Sequence, residues 1–115
     1  MPELNTRWDI FCTVVDNFGD IGVTWRLARQ LVAEHSLNVR LWIDDLHAFE
    51  RLCPDIDIEA SQQWQQGVEV CKWPTDWPPT EAADVVIAAF ACQLPSAYMD
   101  AMAEREQPPL WMNLD

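Results

Sequence analysis

The chain has 115 residues, half of them hydrophobic and 23% charged, enough to bury one core and too apolar for a disordered segment. Seven Lys and Arg against nineteen Asp and Glu give a net charge of −12, which repels nucleic acid and anionic membrane surfaces within a Debye length of roughly 8 Å and fits a solvated acidic surface first and a basic protein partner second. No apolar run approaches the ~20 residues that span a bilayer, so a soluble single domain is expected.

Trp8 to Val15 reads as a buried strand. The loop that follows carries two aspartates and two glycines, Asp16 to Gly22, and leads into a helix from Ile21 to His35. In that helix positions 24, 27, 28, 31 and 32 face inward, with Arg26, Arg29, Gln30 and Glu34 opposite. Asn38 to Ile43 is a second strand, and Leu46 to Leu52 a short helix stopped by Pro54. No element is expected from Asp55 to Gln66. Val68 to Trp73 alternates as a third strand, and Asp84 to Phe90 is a fourth. A helix from Ser96 to Glu106 follows, with Ser96 as its N-cap, and Pro108 to Asn113 is a fifth strand. This alternation predicts an α/β domain, a parallel sheet with helices on both faces.

The four cysteines, Cys12, Cys53, Cys71 and Cys92, have no C-x-x-C spacing, and His35 and His47 fall in no ligand pattern, so no metal site is expected. Reduced, buried thiols and a cytoplasmic location follow as the default.

Open α/β sheets bind ligands outside the carboxyl ends of their strands, where a loop turns into a helix with free N–H groups. That makes Asp16 to Gly22 the candidate working part. Gly19 and Gly22 permit positive φ or close approach of a ligand, but the loop is neither G-x-G-x-x-G nor a Walker loop. Asp20 also fits as the N-cap of the helix, and Asp16 and Asn17 as turn residues. Phe18, a bulky aromatic in a polar loop, either plugs the core or lines a ligand. On these features alone, a non-catalytic acidic module that docks a basic protein, its aspartates serving only as caps and turns, ranks ahead of an enzyme.

The runs FCTVVDNFGDIGVTWRLARQL, VRLWIDDL, LCPD, DVVIAAFACQLP and LWMNLD follow one another along nearly the whole chain. Together they resemble the N-terminal part of the elongation factor P arginine rhamnosyltransferases. The resemblance implies a Rossmann-like N-terminal lobe of a GT-B-type inverting glycosyltransferase. That lobe lies on the acceptor side and ends short of its own C-terminus, and the lobe that mainly holds dTDP-rhamnose is absent. The implied reaction moves rhamnose from dTDP-rhamnose to an arginine of elongation factor P, with no further cofactor. Asp16 and Asp20 match the family's two functional aspartates, Asp20 being assigned as base and Asp16 as orienter of the guanidinium. Asn17, Phe18, Gly19, Ile21 and Gly22 match its glycine loop beside the donor. One departure is Ala88, which stands where relatives often carry an acidic residue.

Overall fold

Strands with long apolar runs need cover on both faces, and the central strands here have it. In a computed structural model, residues 6–13, 18–74, 77, 80–89 and 93–114 are described, residues 18–20 by their backbone alone. The elements are β1 (Arg7–Cys12), α1 (Phe18–His35), β2 (Asn38–Ile43), α2 (Leu46–Phe49), β3 (Gln62–Gln65), β4 (Val68–Lys72), β5 (Val85–Ala89), α3 (Ser96–Ala103) and β6 (Leu110–Leu114). They build one six-stranded sheet in the order β3-β4-β2-β1-β5-β6. All its neighbours are parallel except the β3–β4 pair.

Side chains alternate across each strand and so divide the core in two. Ile10, Cys12, Val39, Leu41, Ile43, Val68, Val70 and Ile87 point to the side covered by Ile21, Trp25 and Ala28 of α1 and Leu46 and Phe49 of α2. Phe11, Trp42, Cys71, Val86 and Ala88 point to the other side, under Tyr98 and Met102 of α3. Helices therefore cover both faces, as the pattern predicts.

Several boundaries differ from the sequence reading, each for a local reason. β1 ends at Cys12, and Thr13 is already exposed. α1 starts at Phe18, three residues before the expected Ile21, which removes Asp20 from the N-cap and puts it at the third helical position. α2 is one turn, Leu46–Phe49, capped by Asp45, whose carboxylate accepts from the Ala48 N–H at 3.2 Å. Ser96 is likewise the first helical residue of α3; Pro95, extended at φ −60° and ψ 143°, holds the cap position without a side-chain bond. α3 stops at Ala103, short of Glu106, and beyond it Arg105 donates to the Ala82 carbonyl and the Asp84 carboxylate, both at 2.8 Å.

The segment without an expected element contains β3, an antiparallel edge strand joined to β4 by Gln66 and Gly67. Both turn residues have positive φ, 51° and 83°, the backbone that a two-residue hairpin of right-handed twist requires. A Cβ on Gly67 would lie 2.8 Å from Val32 of α1, so glycine is needed there for space as well as for conformation.

One polar network is sealed inside the α3 side. Asp9 is fully buried in β1 and receives Arg40 Nε and Nη2 of β2, both at 2.6 Å. The Tyr98 hydroxyl donates to Asp9 at 2.5 Å and accepts from the Ala83 N–H at 3.0 Å. Burial disfavours the Arg40 charge, but the Asp9 hydrogen bond and charge outweigh it, so the guanidinium pKa is raised. Burial, with Asp9 adding to it, drives the Tyr98 phenol well above its usual value, which keeps it a donor.

Truncating Asp9 strands a buried guanidinium, so Asp9→Ala is expected to destabilise the chain by about 3–5 kcal/mol in urea unfolding. Tyr98→Phe, which removes one hydrogen bond from a buried carboxylate, should cost about 1–3 kcal/mol. Asp84 supplies a pH test. The Arg7 N–H at 2.9 Å and Arg105 hold its carboxyl below the usual value. A depressed folded pKa adds stability above the unfolded value, and that stability is lost as pH falls through the folded one. The stability gap between wild type and Asp84→Asn should therefore shrink as urea titrations move from pH 6 to pH 2. The gap should be small throughout, because the Asp84 side chain is 44% exposed.

Candidate functional site

The strand order reverses at β1, since the chain runs outward through β2 and β4 on one side and through β5 and β6 on the other. In open α/β sheets the carboxyl ends of the strands flanking such a reversal, here β1 and β5, are where a crevice for ligands forms. Cys12 and Ala89 end the two strands, in a register that pairs Phe11 with Ala88. Phe18 begins α1 on one flank and Pro95 precedes α3 on the other.

Of the residues expected at this crevice, Asp16 and Asn17 lie outside the described residues, as do Phe90 and Cys92. Phe18, Gly19 and Asp20 form the first turn of α1, where backbone N–H groups have no helical acceptor and the dipole favours an anion. Ile21 is fully buried and packs in the core on the α1 side, which leaves only its backbone for a ligand. Gly22 is helical; among the described residues Gly67 is the one glycine with positive φ. Of the two options expected at Gly22, positive φ or close approach of a ligand, the first is corrected, because Gly22 lies within α1.

Ala88 is buried inside β5 beside Phe11 and Tyr98. An alanine fits there because the space above it is taken by aromatic rings, and the position offers nothing to a ligand. Of the acidic residues after β2, Asp45 is used by the α2 cap.

An aromatic cluster that the sequence reading missed lies under the carboxyl ends of the strands. Phe11 and Trp42 stack across β1 and β2 with centroids 5.8 Å apart and planes at 5°. Trp73 and Tyr98 meet Phe11 edge-on at 5.5 and 4.6 Å, and Trp77 lies 4.9 Å from Trp42. Tilted and edge-to-face rings add roughly 0.5–1.5 kcal/mol each beyond their buried area. They make a stiff apolar floor for the rim above. The signal available in the sequence was three tryptophans at 42, 73 and 77, two of them next to prolines.

The described thiols, Cys12, Cys53 and Cys71, are buried, which does not suit them as nucleophiles. Burial, with Glu69 adding to it, pushes the Cys71 thiol up to about 12; burial also raises Cys53. Among the described residues no group of three His, Cys, Asp or Glu could hold a metal ion, and no helix is long and apolar enough to cross a membrane. A cavity of about 630 Å³ lined by Arg7, Glu81, Asp84 and Arg105 sits at the amino ends of the strands, away from the crevice, and Arg105 and Asp84 there are paired with each other.

Comparison with known proteins finds likeness along nearly the whole chain. A family model described as "Elongation-Factor P (EF-P) rhamnosyltransferase EarP" matches residues 8–115. A protein-arginine rhamnosyltransferase of Pseudomonas putida is 67% identical over 112 residues, covering 97% of this chain and 30% of the relative. That of Pseudomonas aeruginosa is 62% identical over 108 residues, 94% of this chain and 29% of the relative. That of Shewanella oneidensis is 44% identical over 116 residues, 96% of this chain and 29% of the relative. The chain thus spans about 30% of the length of the curated relatives it matches.

Proposed function

The chain belongs to the EarP family of Elongation-Factor P rhamnosyltransferases, and from that membership we propose that it is the acceptor-side part of a cytoplasmic protein-arginine rhamnosyltransferase. The reading makes it a Rossmann-like lobe of a GT-B-type enzyme, with dTDP-rhamnose as donor and an arginine of elongation factor P as acceptor. The observation that carries it is the family match over residues 8–115, in a chain whose DNFGDIG run leads from the end of β1 into the first turns of α1 beside the strand-order reversal.

The acceptor sets the chemical problem. A guanidinium with pKa above about 12 and a carboxylate near about 4 differ by about eight units, or about 11 kcal/mol, so deprotonation before attack fails. As one nitrogen bonds to the anomeric carbon, its lone pair leaves the delocalised system and its proton becomes acidic. A carboxylate then suffices as base late in the step. In this reading Asp20 takes that proton, and Asp16 holds the planar fork through charge-assisted hydrogen bonds. Attack opposite the departing nucleoside diphosphate inverts the anomeric centre. Asn17, Phe18, Gly19, Ile21 and Gly22 border the donor, with the first-turn N–H groups of α1 favouring the charge that leaves.

Asp20→Asn in the full-length enzyme separates this role from a structural one. At the third helical position the substitution forfeits a charge–dipole interaction of about 0.3–1 kcal/mol, so the melting temperature should stay near wild type. Turnover should fall by roughly 10²-fold or more, read as intact mass of elongation factor P after incubation with dTDP-rhamnose. Normal turnover by the folded variant would remove Asp20 from the chemistry and favour the docking-module reading. An elongation factor P with lysine at the target position should stay unmodified, since an ammonium lacks the fork.

A further inference from the structure

The outer face of α1 breaks two local rules. Arg26 and Arg29 stand three apart on one helix, a like-charge spacing that costs a few tenths of a kcal/mol, roughly 0.2–0.5. No acidic residue occupies the positions three or four away from either one. In a chain of net charge −12, where Arg40 and Arg105 are ion-paired, no described carboxylate lies within 4 Å of Arg26 or Arg29.

Gly22 is the second exception. A helical glycine costs about 0.5–1 kcal/mol relative to alanine, and glycine is usually kept for positive φ or for a close neighbour. Gly22 has neither, because a Cβ there would meet nothing within 4 Å. Between these residues Val23 is 54% exposed. Gly22, Val23, Trp25, Arg26, Arg29 and Leu52 together line a cavity of about 390 Å³. One of its two cations is pre-oriented: the Arg29 guanidinium lies 5.2 Å over the Trp25 ring and its Nε donates to the Trp25 carbonyl at 3.4 Å.

We propose that the face of α1 from Gly22 to Arg29 is a docking surface for an acidic peptide segment of a partner protein. Its carboxylates meet Arg26 and Arg29, an apolar side chain rests on Val23, and its backbone lies over Gly22. Uncompensated positive charge on an otherwise acidic chain selects the sign of the partner, and the missing Cβ admits the close approach. A diphosphate at the start of α1 is a different ligand. At 1.5 Å rise per residue, Arg26 and Arg29 are roughly 12 and 16 Å along the helix from Phe18, too far for one such anion to touch the helix start and both arginines. The surface shares Gly22 with the residues proposed to border the donor and is otherwise independent of the roles assigned to Asp16 and Asp20.

The test is an amide NMR titration of the isotope-labelled 115-residue chain at low salt. The probe is an acetylated, amidated octapeptide of glutamate pairs separated by leucine, with sodium diphosphate as the comparison. The peptide should shift the amides of residues 22–29, and an Arg26→Gln, Arg29→Gln double variant should weaken it tenfold or more. Gly22→Ala should raise the melting temperature and yet weaken the peptide at least threefold, a combination that a purely structural glycine does not produce. Absence of shifts at millimolar peptide, binding unaffected by either variant, or equal shifts with diphosphate would each overturn the proposal.

Discussion

The buried pairing of Asp9 with Arg40 is the constraint on which the rest of the α3 side depends. An isolated charge in that position would cost several kcal/mol, and the bidentate contact at 2.6 Å together with the Tyr98 hydroxyl is what makes a carboxylate tolerable there. The three residues come from β1, β2 and α3, so satisfying one carboxylate fixes two neighbouring strands and the helix above them at once. Arg40 Nη2 also donates to the Glu81 carbonyl at 3.1 Å, and Tyr98 holds the Ala83 N–H. The segment that enters β5 is tied to the same point.

Above this network the aromatic cluster takes over. Phe11 follows Asp9 by two residues and faces the same side, so the strand that carries the buried charge also carries the ring on which Trp42, Trp73, Trp77 and Tyr98 converge. Polar groups lock the middle of the sheet and rings stiffen its carboxyl end. β1 runs from that base directly to the carboxyl edge of the sheet, where the candidate site lies.

α1 links that site to the surface. Its first turn begins at the crevice, its inner face seals the core through Ile21, Trp25 and Ala28, and its outer face carries two arginines with no carboxylate within 4 Å among the described residues. A segment docked on the outer face would bear on the element that begins at Phe18. Trp25 joins the two faces: one edge meets Phe49 of α2 at 5.1 Å, and Arg29 covers the ring from outside.

The sequence by itself determined the alternation of strands and helices and the two-sided burial. Those depend on periodicity and on residue type, which are local quantities. It also carried the family, because a long motif is a property of the chain and not of its folding. Tertiary structure decided what depends on partners distant in sequence. Asp9 sits in an apolar strand and is intelligible only beside Arg40 and Tyr98, 31 and 89 residues away. β3, with its QQWQ pattern, has weak strand character of its own and is held by pairing to β4 and by a glycine pressed against α1. Even the start of α1 was misplaced from local signals: aspartate is a good N-cap, but it is also favourable inside a first turn, and the backbone took the second alternative at Asp20.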